Sequence, residues 1–148
     1  MPFQQVLFAT DFSAASLAAL EAGLHLLADR SARVTVLHVI DDAAEDDLFV
    51  ARPYDVHRHS AALEQHVSES LDLLMRERFD RGRPPELRIT HGGVAEQILS
   101  VASDIGADLL IMGVHGRNAF DLAIFGSTTN DVVRQAPCPV LTARPDQP

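Results

Sequence analysis

Apolar residues recur along the chain in two alternating rhythms. Short continuous runs at 5–10, 33–40, 86–91, 108–114 and 140–143 are rich in Val, Ile and Leu, as strands buried on both faces require. Between them, apolar side chains fall three and four apart. Leu17, Leu20, Leu24 and Leu27 mark a helix over 13–28; Leu63, Val67, Leu71, Leu74 and Met75 mark another over 59–79. Two shorter helices are expected over 95–105 and 127–135. Gly82 with Pro84 and Pro85 stops the second helix, and residues 41–57, acidic and holding Pro53, read as a long loop or insertion.

Strand and helix alternate from end to end, and right-handed crossovers turn that order into a single architecture. The expectation is a single-domain α/β fold: an open, doubly wound, five-stranded parallel sheet of order 3-2-1-4-5 with helices on both faces. A chain of 148 residues fits one domain, residues 1–145, with a short tail at 146–148. No apolar run approaches the roughly 20 residues that cross a bilayer. The opening MPFQQVLFATDFS lacks the basic segment and cleavage pattern of a secretion signal. A lone Cys138 cannot form an internal disulfide. Together these point to the cytoplasm and away from membranes.

Charge removes further classes. The net charge is −9 and all twelve basic residues are arginine, so no lysine-rich face exists to displace counterions from nucleic acid. Without lysine there is no Walker phosphate loop and no Schiff-base amine.

In sheets of this kind a ligand sits beyond the carboxyl ends of the strands, where strand order reverses. That places Ala9, Thr10 and Asp11 after the first strand opposite Met112, Gly113, His115, Gly116 and Arg117 after the fourth, with Val39 flanking. Gly113 and Gly116 suit a loop whose backbone N–H groups approach phosphate. Gly126, Ser127 and Thr128 open a helix whose unpaired amides favour an anion. Asp11 suits a neutral donor, such as a ribose hydroxyl or an adenine amine, and either it or Ser13 would cap the first helix.

The spacing Gly113-x2-Gly116-x9-Gly126-Ser127, the stretch Ala9-Thr10-Asp11-Phe12-Ser13, the strand end Leu37-His-Val-Ile-Asp41 and the closing Ala136-Pro-Cys-Pro-Val-Leu141 resemble the universal stress protein family, in its ATP-binding branch. The resemblance implies ATP as ligand, with Mg²⁺ or Mn²⁺; any hydrolysis is expected to be slow, since no residue is placed as a general base and no lysine stabilises the phosphates. Asp11 and Val39 would hold the adenosine end, Val39 through backbone groups. Gly113, Gly116, Gly126, Ser127 and Thr128 would line ribose and phosphates, with Arg117 adding a charged contact. It also implies a homodimer through the last strand and a role in stress response or signalling with an unidentified protein partner. A nucleotide-free dimeric interaction module of the same fold is the alternative. A nucleotide-dependent transferase would need a His-x-Gly-His pair or a Ser-Gly-Gly-x-Asp loop, and Asp11-Phe-Ser-Ala-Ala15 supplies neither.

Other residues read as structure. His57, His59 and His66 lack a fourth ligand at zinc spacing; His38 reads as a hydrogen-bonded core residue, and Cys138 as a small buried hydrophobe. Gly92 and Gly106 read as turn glycines. Leu122-Ala-Ile-Phe125 would cover the ligand or pack on a partner. Replacing Gly113 and Gly126 by alanine is expected to weaken ATP binding without unfolding the domain.

Overall fold

The computed structural model of the chain describes residues 2–27, 31–41, 56–114 and 126–144, with side chains in 56–60 left aside. The elements run β1 Gln5–Ala9, α1 Ala14–Leu26, β2 Arg33–Ile40, α2 Val56–Arg78, β3 Glu86–His91, α3 Val94–Asp104, β4 Leu109–Gly113, α4 Ser127–Gln135 and β5 Val140–Ala143. The five strands form one parallel sheet of order β3-β2-β1-β4-β5, as the alternation predicts. Helix α2 begins at Val56, so residues 56 and 57, expected to belong to the irregular segment, are helical. Residues 42–55, residues 115–125 with the Leu122 to Phe125 stretch, and residues 145–148 lie outside the described residues.

Strand β1 is the middle of the sheet, and its side chains divide the core. Val6 and Phe8 join α1 and α2 in one apolar cluster; Leu7 and Ala9 join α3 and α4 in the other. Val6, Leu7 and Phe8 are all 0% exposed, which leaves no position for a polar residue between Gln5 and Ala9. Burying one such side chain contributes about 1.5–3 kcal/mol. The opening of β1 is clasped by Asp108, whose Oδ2 accepts the Gln4 amide at 2.8 Å and whose Oδ1 accepts the Gln5 amide at 3.0 Å. The Asp108 amide returns the bond to the Gln5 carbonyl at 2.8 Å, so the first rung between β1 and β4 is locked at both ends.

Helix α1 lies unusually close to β4. Its buried face is made of small residues, Ala15, Ser16, Ala19 and Gly23, with Leu20. A Cβ added to Gly113 would stand 2.4 Å from the Ser16 amide nitrogen and 2.5 Å from the Ala15 carbonyl carbon. Gly113 has no positive φ, unlike Gly92 at +132° and Gly106 at +63°, which are the turn glycines expected. Glycine is required at 113 because helix backbone occupies the space, a different reason from approach to phosphate.

An alanine at 113 therefore strains the domain itself, apart from anything it does to a ligand. The substitution should cost about 1–3 kcal/mol through overpacking, lowering the melting temperature by roughly 2–4 °C per kcal/mol. Thermal unfolding followed by circular dichroism checks this, with Gly82→Ala as a control, since at Gly82 an added Cβ meets nothing nearer than 3.7 Å.

Candidate functional site

Strand β1 stops at Ala9 while its neighbour β2 runs on to Ile40, and the missing strand length opens a cavity of about 190 Å³. Its walls are Ala9, Thr10, Asp11, Ser16, Leu37, Val39, Val94, Ile98, Met112, Gly113 and Thr128. Ala9, Thr10, Asp11, Val39, Met112, Gly113 and Thr128 were all expected there. Gly126 and Ser127 are described but do not line it, Ser127 being exposed at the start of α4. His115, Gly116 and Arg117 lie outside the described residues. The lining is apolar at its floor, with hydroxyls at Thr10, Ser16 and Thr128, and Asp11 is its only ionisable side chain among the described residues.

The turn after β1 is held by its own side chains. Thr10 Oγ1 is 2.9 Å from Ser16 Oγ and accepts the Phe12 amide at 2.9 Å. Asp11 Oδ1 accepts the Ser13 amide at 3.0 Å, and Ser13 Oγ accepts the Ser16 amide at 3.2 Å. Ser13 is thus the N-cap of α1, while Asp11 braces the residue before the helix. Phe12 takes a φ of +65°, a left-handed conformation that costs a non-glycine residue about 1–2 kcal/mol. Its ring stacks on the His38 imidazole, centroids 5.0 Å apart at 26°, and His38 Nδ1 lies 2.8 Å from the Thr10 carbonyl oxygen. His38 was expected to be hydrogen-bonded, and it is, although half-buried at the surface end of β2.

Three helices begin beside the cavity, and their first turns differ. In α1 the Ser13 hydroxyl already occupies an amide. In α3, which starts after Gly93, Glu96 places a carboxylate in the first turn and cancels the attraction for an anion. Helix α4 starts after Gly126 with neither a side-chain cap nor an acidic residue in its first turn. Its first intrahelical bond runs from the Asn130 amide to the Gly126 carbonyl at 3.0 Å, so the amides of Ser127, Thr128 and Thr129 precede it and have no acceptor within the helix. The Val114 amide, by contrast, donates to the Ala143 carbonyl at 3.1 Å. An anion is therefore favoured on the α4 side of the cavity.

Two neighbouring hollows have other characters. A groove of about 680 Å³ between α3 and α4 shares Val94 and Thr128 with the cavity and carries Glu96 and Asp131. A hollow of about 440 Å³ lies behind Phe12 and His38, against Leu63, Val67 and Leu74 of α2. Among the described residues no group of three His, Cys, Asp or Glu could hold a metal ion, and no helix is long and apolar enough to cross a membrane. Cys138 is partly buried; desolvation, and then the charge of Asp108, push its thiol above the usual range. A raised pKa keeps the thiol protonated and unreactive, so at pH 8 iodoacetamide should alkylate Cys138 more slowly than a free cysteine. Intact-mass time courses read the difference.

The model of the universal stress protein family matches residues 2–144. A universal stress protein of Thermus aquaticus is 30% identical over 148 residues, covering 96% of this chain and 99% of its own. Universal stress protein MJ0577 of Methanocaldococcus jannaschii is 27% identical over 154 residues, covering 96% and 95%. The solved structure of MJ0577 superposes over 100% of both chains with a TM-score of 0.85 at 25% identity. An Arabidopsis thaliana universal stress protein family member, solved with AMP bound, superposes over 97% of this chain and 92% of its own, with a TM-score of 0.63 at 21% identity. A family match over nearly the whole length, joined to the sheet order and the turn after β1, makes this chain a member of the universal stress protein family.

Proposed function

We propose that the chain is an ATP-binding member of the family that acts by nucleotide occupancy in stress response or signalling. The observation that carries this reading is the cavity at the reversal point of the sheet. It brings Asp11 and Val39 together with Thr128 at the one adjoining helix start that has neither a side-chain cap nor an acid. The adenosine end would lie on the apolar floor between Val39, Ile98 and Met112, with Asp11 toward the ribose. The phosphates would lie over Ser127, Thr128 and the residues after Gly113, where His115, Gly116 and Arg117 fall in sequence. The described cavity is smaller than the roughly 300–1,000 Å³ usual for a whole ligand, so it accounts for the base and sugar rather than the full nucleotide.

A Mg²⁺ or Mn²⁺ ion would ride on the phosphate oxygens, because among the described residues the cavity offers a single carboxylate and no protein cage. Asp11 lies on the adenosine side, and no other described lining side chain can take a proton from water. The site is suited to holding ATP, with hydrolysis slow at most. AMP in the Arabidopsis protein is consistent with an adenine nucleotide in this fold.

Calorimetric titration with Mg·ATP tests the reading. Binding with one site per chain is expected, and Asp11→Ala should weaken it about tenfold, or 1.4 kcal/mol, while lowering the melting temperature by roughly 2–4 °C for the lost bond to the Ser13 amide. No heat of binding up to millimolar ATP would overturn it in favour of the nucleotide-free interaction module. We also propose that β5, which among the described residues pairs with β4 alone and carries Val140 and Leu141, joins a second copy of the chain. Light scattering at micromolar concentration should give the mass of a dimer, and Leu141→Arg should shift it toward the monomer.

A further inference from the structure

The ladder between β1 and β2 ends in an unusual way. The Thr10 amide donates to the Leu37 carbonyl at 2.9 Å on the β1 side of β2, and the Gly92 amide donates to the Ile40 carbonyl at 3.0 Å on the β3 side. Successive residues of a strand turn their backbone polar groups to opposite edges, so the Val39 N–H and C=O face the β1 side with those of Leu37. The next rung of a continuing parallel ladder would run from the Val39 N–H to the Thr10 carbonyl. No backbone bond joins that pair; the Thr10 carbonyl instead receives the His38 imidazole through Nδ1 at 2.8 Å.

A carbonyl only accepts, so His38 carries its proton on Nδ1. The ring is held in that orientation by the stack on Phe12, and the left-handed turn at Phe12 takes the chain away before β1 can extend. We propose that His38 is a positioning residue for ligand recognition: it occupies the carbonyl that would close the last rung and keeps the Val39 peptide open toward the cavity. The open peptide presents one donor and one acceptor side by side. Adenine offers the complement, with an acceptor at N1 and a donor at the 6-amino group. Hypoxanthine reverses both, so His38 acts at a distance on base selectivity. The selectivity rests on the reading that a purine nucleotide fills this cavity; the open rung does not.

Hydrogen exchange of the Val39 amide by NMR, in protein free of nucleotide, tests the device separately from the ligand. The wild-type amide should exchange at least tenfold faster than that of Leu37. In His38→Leu it should slow at least tenfold as the rung closes. In His38→Asn, whose side-chain amide can donate from nearly the position of Nδ1, it should stay fast. Titration with ATP and with inosine triphosphate then reads selectivity: His38→Leu should lose about tenfold in ATP affinity and most of the preference for ATP, and His38→Asn should keep both. A protected Val39 amide in the wild type, or equal exchange in wild type and His38→Leu, overturns the proposal whatever the nucleotides do. If His38→Leu does not fold, the wild-type and His38→Asn amides still decide it. Failure of the wild type to bind either nucleotide overturns the nucleotide reading alone, and with it the selectivity.

Discussion

Everything distinctive in this molecule follows from a strand buried on both faces that is too short for its neighbours. After Gln5, β1 carries no tolerance for polar residues, because Val6, Leu7 and Phe8 are wholly enclosed by helices on either side. Its last residue, Ala9, leaves β2 with three further residues beyond the pairing Ala9 to Leu37. Backbone polar groups at the centre of a sheet need partners, and a chain that ends there must either extend, fill the gap with side chains, or leave it to a ligand. This one does the second on the side of His38 and Phe12 and leaves room for the third on the side of Val39.

The strain at Phe12 belongs to the same arrangement. A left-handed non-glycine residue persists only where its surroundings determine it from several directions. Here the Thr10 hydroxyl takes the Phe12 amide, the ring stacks on an imidazole and packs against the apolar cluster of α1 and α2. Glycine would relieve the backbone and lose the ring, and with it the orientation of His38. The close seat of α1 on β4 supplies the opposite wall, since Ser16 and Gly113 approach each other only because neither carries bulk.

Much of this was legible in the order of residues. Buried strands and amphipathic helices announce themselves through local periodicity, and their alternation determines strand order through handedness, so the reversal point could be located before any coordinates. Ala9, Thr10, Asp11, Val39, Met112, Gly113 and Thr128 were placed at the cavity by that rule and by the family's motif. What local pattern could not carry were the contacts between distant segments. Nothing in the spacing of glycines says that residue 113 meets the backbone of residues 15 and 16, or that Asp108 reaches Gln4. His38 read as an ordinary strand histidine because the carbonyl it serves lies 28 residues away. A helix start at Gly126 was visible, but the lack of a side-chain cap there, and its contrast with the Glu96 carboxylate of α3, needed the two helices to be seen bordering one cavity.

The clasp of Asp108 on Gln4 and Gln5 joins residues separated by 104 and 103 positions. During synthesis, β1, β2 and β3 emerge as consecutive neighbours and can pair as soon as they leave the ribosome, but the other edge of β1 waits for β4. About 70 further residues follow the end of β2 before that partner is complete, and at roughly 5–20 residues per second the central strand of the sheet stands with one bare edge for several seconds. The nascent half-sheet is thus the stage at which this chain is most open to pairing with the wrong strand, and the carboxylate that arrives with residue 108 is what marks the correct partner's register when it comes.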